Sequence, residues 1–257
     1  MTLTNHNSVA VTETAARATL VQLEGVRFRW KPGAPLVLDI EAFVVKKGEK
    51  VFLKGPSGSG KSTLLNLVAG VIVPQEGAVT VGDTAVSSLR GARRDAFRAD
   101  HIGFIFQMFN LIPYLSVMEN VTLALTFSKR REARIKAAGT ANEEAARLLG
   151  RLGLDDALRK RPVTELSIGQ QQRVAAARAL IGSPDLLIAD EPTSALDTDT
   201  RESFIRLLFE ECDRAGMTLL FVSHDGNLEH LFDHSVDLRK LNRAQGTRPG
   251  NATVRSA

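Results

Sequence analysis

The chain contains few cysteine and aromatic residues. Its 257 residues include one cysteine, Cys212, so no disulfide can form within the chain and a reducing compartment is expected. Aromatic residues make up 5% of the sequence, which argues against a stacking platform for single-stranded nucleic acid. No apolar run approaches the length of a membrane span, and Met1 to Leu20 lack the apolar segment of a signal peptide. We therefore expect a cytoplasmic protein with no nucleic-acid partner that reaches a membrane only through another protein.

The remaining composition is that of a globular protein. Hydrophobic residues make up 44% and charged residues 24% of the chain, which is long enough for one large α/β domain. The formal charge of +4 comes partly from two basic clusters, Lys129–Arg131 and Arg159–Arg161. Such clusters are either a solvated face or a surface facing anionic lipid or nucleic acid.

The segment from Gly55 to Ser62 fits the pattern G-x-x-x-x-G-K-[ST] at every position. In this pattern glycines allow a tight turn whose backbone N–H groups point at an anion, and the lysine reaches the phosphates. A predicted strand, Glu49–Lys54, enters the loop, and a predicted helix, Ser62–Ala69, leaves it, so the donors lie at a helix N-terminus. The residues predicted to hold a nucleoside triphosphate are Gly55, Pro56, Ser57, Gly58, Ser59, Gly60, Lys61, Ser62 and Thr63.

The pattern of apolar residues predicts a doubly wound α/β core. Asp185–Asp190 and Met217–Val222 are nearly continuous apolar runs, as in parallel strands buried on both faces. Val21–Trp30 and Leu36–Val45 alternate in the manner of antiparallel strands. We expect a leader at 1–19, a single domain at 20–241 with a helical insertion at about 86–165, and a tail at 242–257.

Two acidic residues, Asp190 and Glu191, follow the Asp185–Ala189 strand directly. Because ligands bind beyond the carboxyl ends of parallel strands, these residues are expected beside the phosphate loop. Asp190 and the Ser62 hydroxyl then predict a Mg²⁺ site, and Glu191 is expected to polarise a water for attack on the γ-phosphate.

Leu166 to Gln170 stand immediately before a predicted helix, Gln171–Ile181. A serine and a glycine at this position offer a hydroxyl and bare N–H groups to an anion. They are equally typical of an ordinary helix N-cap, and the residues by themselves leave both interpretations open.

Taken in order, these motifs resemble the nucleotide-binding subunit of ATP-binding-cassette (ABC) transporters from Val21 to Leu241. The full order is the phosphate loop, Gln107 after Phe104-Ile105-Phe106, the Leu166–Gln170 signature, Asp190-Glu191, Ser194–Asp197 and Ser223-His224. The resemblance implies a phosphate-loop ATPase fold with an antiparallel β subdomain and an inserted α-helical subdomain.

The resemblance also implies roles for single residues on the nucleotide side. Trp30 would stack on adenine, and Gln107 would touch Mg²⁺ and the attacking water. His224 would clamp the γ-phosphate and position Glu191. The catalytic residues that the resemblance implies are Glu191, His224, Lys61 and Gln107.

A head-to-tail dimer is implied in the same way. The signature residues Ser167, Ile168, Gly169 and Gln170 would complete the site of a second copy, and Asp197 would link the two sites. Ile168 stands where the family usually has glycine, and Trp30 stands where tyrosine is more common. Neither departure removes a catalytic position, so an active ATPase is expected.

The segment Gln107–Val121 is unusually apolar for a connection. It is either core packing or part of a groove for a partner's helix. The sequence of this segment, together with that of the signature, resembles the lipoprotein-releasing and macrolide-export branch. We therefore expect a cytoplasmic ATPase subunit, peripheral on the inner face of the cell membrane, that drives a separate permease of exporter or mechanotransmission type. The alternative is a single-cassette ATPase of a soluble assembly, such as an iron–sulfur cluster scaffold.

Overall fold

The computed structural model describes residues 17–194, 196 and 198–246. Its strands are β1 (Thr19–Phe28), β2 (Leu38–Lys46), β3 (Lys50–Lys54), β4 (Glu76–Val81), β5 (Thr84–Ala85), β6 (Ile102–Ile105), β7 (Leu186–Asp190), β8 (Thr218–Val222) and β9 (His234–Asp237). Its helices are α1 (Lys61–Val68), α2 (Gly91–His101), α3 (Val117–Thr126), α4 (Lys129–Lys136), α5 (Ala141–Arg151), α6 (Ile168–Leu180), α7 (Thr198–Ala215) and α8 (Leu238–Leu241).

A parallel sheet with the strand order β6-β7-β8-β3-β9 forms the centre of the described residues. Successive residues of one strand belong to different apolar clusters: Leu219 and Phe221 pack with one, Leu220 and Val222 with the other. Both faces of β8 are therefore buried, which explains why its sequence is a continuous apolar run.

A second sheet is antiparallel, with the order β2-β1-β4-β5. Leu23 on β1 and Ile40 on β2 are fully buried and belong to the same apolar cluster as Leu65 of α1. This sheet thus covers the helix that follows the phosphate loop. Two sheets of these types, with helices α3 to α5 between β6 and β7, confirm the predicted fold class.

The observed strands differ from the predicted ones at their ends. β1 ends at Phe28, two residues before Trp30, because its partner β2 begins only at Leu38. β9 was not predicted, since His-Ser-Val-Asp has no apolar run; its pairing with β3 makes it a strand. Asp197 and most of the predicted leader and tail lie outside the described residues.

The ends of the described chain contact the core. Asn242, the first residue of the predicted tail, is buried and donates hydrogen bonds to the carbonyls of Val37 and Ser59.

Among the helices within the described ranges, none is both long and apolar enough to cross a bilayer.

A charged cluster at the N-terminal end of β7 joins three elements. Asp185 lies 2.5 Å from Nδ1 of His101 at the end of α2. Its carboxylate also accepts from Arg130 and Arg134 of α4, at 3.1 and 3.2 Å. Partial burial raises the pKa of Asp185, but the His101 hydrogen bond and the two arginines outweigh it and lower that pKa to about 2.

Replacing Asp185 with asparagine should remove an acid-sensitive part of the stability. Because the folded pKa lies below the unfolded one, ionised Asp185 stabilises the fold above about pH 4, and this contribution is lost as the pH falls toward about 2. The difference in unfolding free energy between wild type and D185N should shrink over this window in urea titrations. D83N, in the exposed turn after β4, is the control, and a D185N difference independent of pH would contradict the assignment.

Candidate nucleotide-binding site

Four neighbouring strands of the parallel sheet end at the same edge, and each is followed by candidate site residues. The phosphate loop follows β3, and His224 lies two residues after β8. Asp190 ends β7 with Glu191 next to it, while Gln107 lies two residues after β6. The register of the pairs, for example Asp190 opposite Val222, brings these positions to one level.

The phosphate loop ends on a helix terminus that no side chain caps. Gly60 is the N-cap of α1 with φ 98°, and the first turn of α1 carries no acidic residue. A Cβ at Gly60 would lie 2.8 Å from the Leu38 side chain, so both backbone angle and space require glycine. The first N–H groups of α1 therefore fit a phosphate oxygen.

Lys61 extends over the loop from the first position of α1. Its Nζ donates to the carbonyls of Gly55 and Pro56 at 2.8 and 3.2 Å. It also lies 3.8 Å from Oε1 of Glu191. The side chain is nearly buried, so its charge acts with little screening by water.

The oxygen donors beside Lys61 fit a Mg²⁺ ion. The Ser62 hydroxyl donates to Oδ2 of Asp190 at 3.1 Å, and Gln107 lines the same cavity. Burial raises the pKa of Asp190 above its ordinary value, against the Ser62 hydrogen bond. Among the described residues no three His, Cys, Asp or Glu side chains gather as a metal site. A hydroxyl, an amide and one carboxylate suit Mg²⁺, which takes few protein ligands and keeps several waters.

Glu191 is held in an unusual backbone conformation. Its φ is 47°, which is uncommon for a residue other than glycine, and its N–H donates to the Val222 carbonyl at 2.9 Å. Oε2 lies 2.9 Å from Nδ1 of His224. With a proton on Nδ1, the imidazole donates to the carboxylate in this contact.

These residues share one cavity of about 690 Å³, a size suited to a nucleotide. Its lining consists of Trp30, Val37, Ser57, Gly58, Gly60, Lys61, Ser62, Thr63, Gln107, Asp190, Glu191 and His224. No sequence motif marks Val37, which enters the wall because its N–H donates to the Phe28 carbonyl and closes the β1–β2 connection. Trp30 is 59% exposed and packs edge-on against Phe28.

The signature residues lie outside this cavity. Ser167 is the N-cap of α6, and its hydroxyl accepts from the Gln170 N–H at 3.3 Å. Gln170 Oε1 accepts in return from the Ser167 N–H at 2.9 Å, which completes a capping box. Ile168 is 59% exposed. The N-cap interpretation is thus correct as local structure, and the helix end remains accessible to an anion.

Arg178 is a further residue that sequence reasoning missed. From α6 it donates to the carbonyls of Phe109 and Asn110, at 2.5 and 2.6 Å. These two residues have φ of 59° and 50°, and they follow Gln107 closely. The guanidinium therefore stabilises a strained loop that carries one wall of the site.

Comparison with known proteins gives consistent matches. Residues 38–194 match the family described as ABC transporter. An ABC transporter ATP-binding protein of Mycobacterium tuberculosis is 40% identical over 87% of this chain and 88% of its own length. The lipoprotein-releasing system ATP-binding protein LolD of Bacteroides thetaiotaomicron is 37% identical over 85% of this chain and 96% of its own length.

Two further matches are to an ATP-binding/permease protein and to a solved structure. The macrolide export ATP-binding/permease protein MacB of Rhodopirellula baltica is 37% identical over 91% of this chain, which spans 34% of MacB. The dimeric post-hydrolysis structure of the Methanocaldococcus jannaschii cassette MJ0796, bound to ADP and Pi, has a TM-score of 0.74. It is 35% identical and covers 85% of this chain and 94% of its own. The predicted resemblance to the lipoprotein-releasing and macrolide-export branch is confirmed.

Trp30 should report on nucleotide binding, because it is the chain's one tryptophan and lines the cavity. Adding ATP should change its fluorescence, and K61A should abolish the change. W30A should weaken the binding of a fluorescent ATP analogue by about tenfold, through loss of base stacking. Y114A, which removes an exposed ring outside the cavity, is the control. An unchanged affinity in W30A would exclude stacking.

Proposed function

Because the chain belongs to the ABC transporter family and is an ATPase of that family, we propose that it energises a separate membrane permease. ATP closes a homodimer of the chain, and hydrolysis reopens it. The permease holds the chain at the cytoplasmic face of the membrane. The names of LolD and MacB support a system of the exporter or mechanotransmission type.

The contact between Glu191 and His224 carries the proposal. A carboxylate 2.9 Å from an imidazole lies in the same cavity as Lys61 and the Ser62–Asp190 pair. This combination supports turnover rather than binding alone, because a general base accompanies the phosphate-binding groups.

Binding begins with the two ends of ATP. Trp30 stacks on adenine, while the N–H groups of the loop and of the N-terminus of α1 donate to the phosphate oxygens. Lys61 exchanges its bonds to Gly55 and Pro56 for the β- and γ-phosphates. A Mg²⁺ ion held by Ser62, Asp190 and Gln107 would neutralise charge on the phosphate oxygens.

Hydrolysis then uses the carboxylate. Glu191 accepts a proton from water as the water oxygen bonds to the γ-phosphorus. The bond from that phosphorus to the β,γ-bridging oxygen breaks, and ADP leaves with the electron pair. His224 donates from Nδ1 to Oε2 of Glu191, and in its doubly protonated form it also donates from Nε2 to the γ-phosphate. Gln107 orients the water.

The second copy completes the site. Ser167, Gly169 and Gln170 of one chain contact the γ-phosphate bound to the other, with Ile168 at the interface and Asp197 linking the two sites. The position of the signature outside its own chain's cavity supports this arrangement. So does the dimeric state of the similar cassette MJ0796.

The permease docks in a cleft next to Gln107. A cleft of about 260 Å³ there has an apolar wall of Val71, Phe104, Phe106 and Ala124, and Arg98, Arg131 and Arg178 also line it. Val71 is 49% exposed. The apolar wall suits one face of a short partner helix. Its position beside the Gln107 loop supports transmission between docking and the nucleotide site.

Replacing Glu191 with glutamine should abolish hydrolysis while nucleotide binding remains, because the amide cannot accept the water's proton. ATP should then hold E191Q as a dimer, measured by size-exclusion chromatography with light scattering. E132Q, on the surface of α4, is the control with normal turnover. Unchanged phosphate release by E191Q would refute the general-base role.

Purification from membranes should recover a multi-span permease with the chain. V71D should lose this partner, because it places a charge on the apolar wall of the cleft, while the ATPase activity of the isolated chain persists. V44D alters a comparably exposed valine on β2, 45% exposed, and should retain the permease. Recovery of an entirely soluble complex would instead favour the cluster-scaffold alternative.

A further inference from the structure

Arg201, in the first turn of α7, bridges two loops of the site. One guanidinium nitrogen, Nη2, donates to the Leu196 carbonyl at 2.9 Å. The other, Nη1, donates to Oδ2 of Asp225. Both charged side chains are about one-fifth exposed, at 21% and 22%, so the ion pair is partly shielded from water.

Asp225 directly follows His224, and its remaining contacts fix the turn. Its Oδ1 accepts from the Asn227 N–H at 3.1 Å, and its own N–H donates to the Ser223 hydroxyl at 3.1 Å. With the Leu228 N–H donating to the Asp225 carbonyl at 3.3 Å and the Arg201 contact, four hydrogen bonds hold Asp225 in place. His224 is anchored on this backbone, and its side chain is itself exposed.

The other end of the bridge reaches the signature helix. A Cβ at Gly169 would lie 3.5 Å from the Leu196 side chain, so Leu196 packs against the start of α6. A cavity of about 40 Å³ lies between Arg201 and the pair Glu191–His224. It is lined by Glu191, Thr193, Ser194, Arg201, Ser223, His224 and Asp225. The guanidinium and the pair thus face the same small space.

We propose that Arg201 is a positioning residue. Acting through Asp225, it keeps the His224 side chain within hydrogen-bond distance of Glu191. This rests on the proposed roles of Glu191 and His224. A planar guanidinium with two donors sets the distance between the Leu196 loop and the His224 turn, which a single ammonium cannot do. The 2.9 Å contact of His224 with Glu191 depends on that distance.

The test compares R201M with R206M, which removes an exposed arginine of the same helix. R201M should lower kcat by about tenfold and leave the Kd for ATP within about twofold of wild type. R206M should change neither. A merely structural ion pair would instead lower the melting temperature and weaken ATP binding together with kcat, and that result would overturn the proposal.

A double-mutant cycle identifies the route. D225N keeps an oxygen for the Asn227 N–H but loses the charge that Arg201 meets. If Arg201 acts through Asp225, the kcat of R201M/D225N should equal that of D225N within about twofold. Additive losses would overturn the proposal.

Two further variants keep the outcome clear. Should R201M not fold, R201K retains the charge without the two-pronged contact. It should lower kcat by about threefold at unchanged Kd, whereas wild-type kcat would overturn the proposal. Active E191Q would refute the proposed function itself; inactive E191Q with fully active R201M would refute this inference alone.

Discussion

The parallel hydrogen-bond ladder between β7, β8 and β3 is the interaction on which the site depends. Leu53 pairs with Val222, and Val222 pairs with Asp190, so three strands end at one level. Both faces of these strands are buried, and a slip of one residue would exchange the two apolar faces. The core therefore fixes the register, and the register fixes where the phosphate loop, the acidic pair and the histidine emerge.

The ladder also explains the strained conformation of Glu191. Its N–H donates to the Val222 carbonyl, which extends the β7–β8 pairing by one residue beyond β7. A φ of 47° costs of the order of 1 kcal/mol, which one backbone hydrogen bond within a sheet offsets. The backbone thus turns the carboxylate out of the sheet toward Lys61 and His224, and its contacts with these two side chains hold it there.

Much of this arrangement could be predicted from the sequence. β7 and β8 are apolar runs of strand length, so Asp190 and His224 could be assigned to one sheet edge before the structure was considered. Arg178 and Arg201 could not be identified, because their carbonyl partners bear no sequence signal. The Asn110 carbonyl is 68 residues from Arg178, and no periodicity encodes which carbonyl a guanidinium reaches. Tertiary packing brings Arg178 to its carbonyls and Arg201 to Asp225.

The capping box of α6 bears on how a phosphate would reach the signature. The Ser167 hydroxyl accepts from the Gln170 N–H and still has its own O–H to donate, so in the proposed dimer it can donate to the γ-phosphate of a second copy while it caps α6. The N-cap, which is worth about 1 kcal/mol, is then kept, and a hydrogen bond to a charged phosphate contributes about 1.5–3 kcal/mol more. Ile168 adds apolar area that would leave water on closure, which favours the closed dimer further.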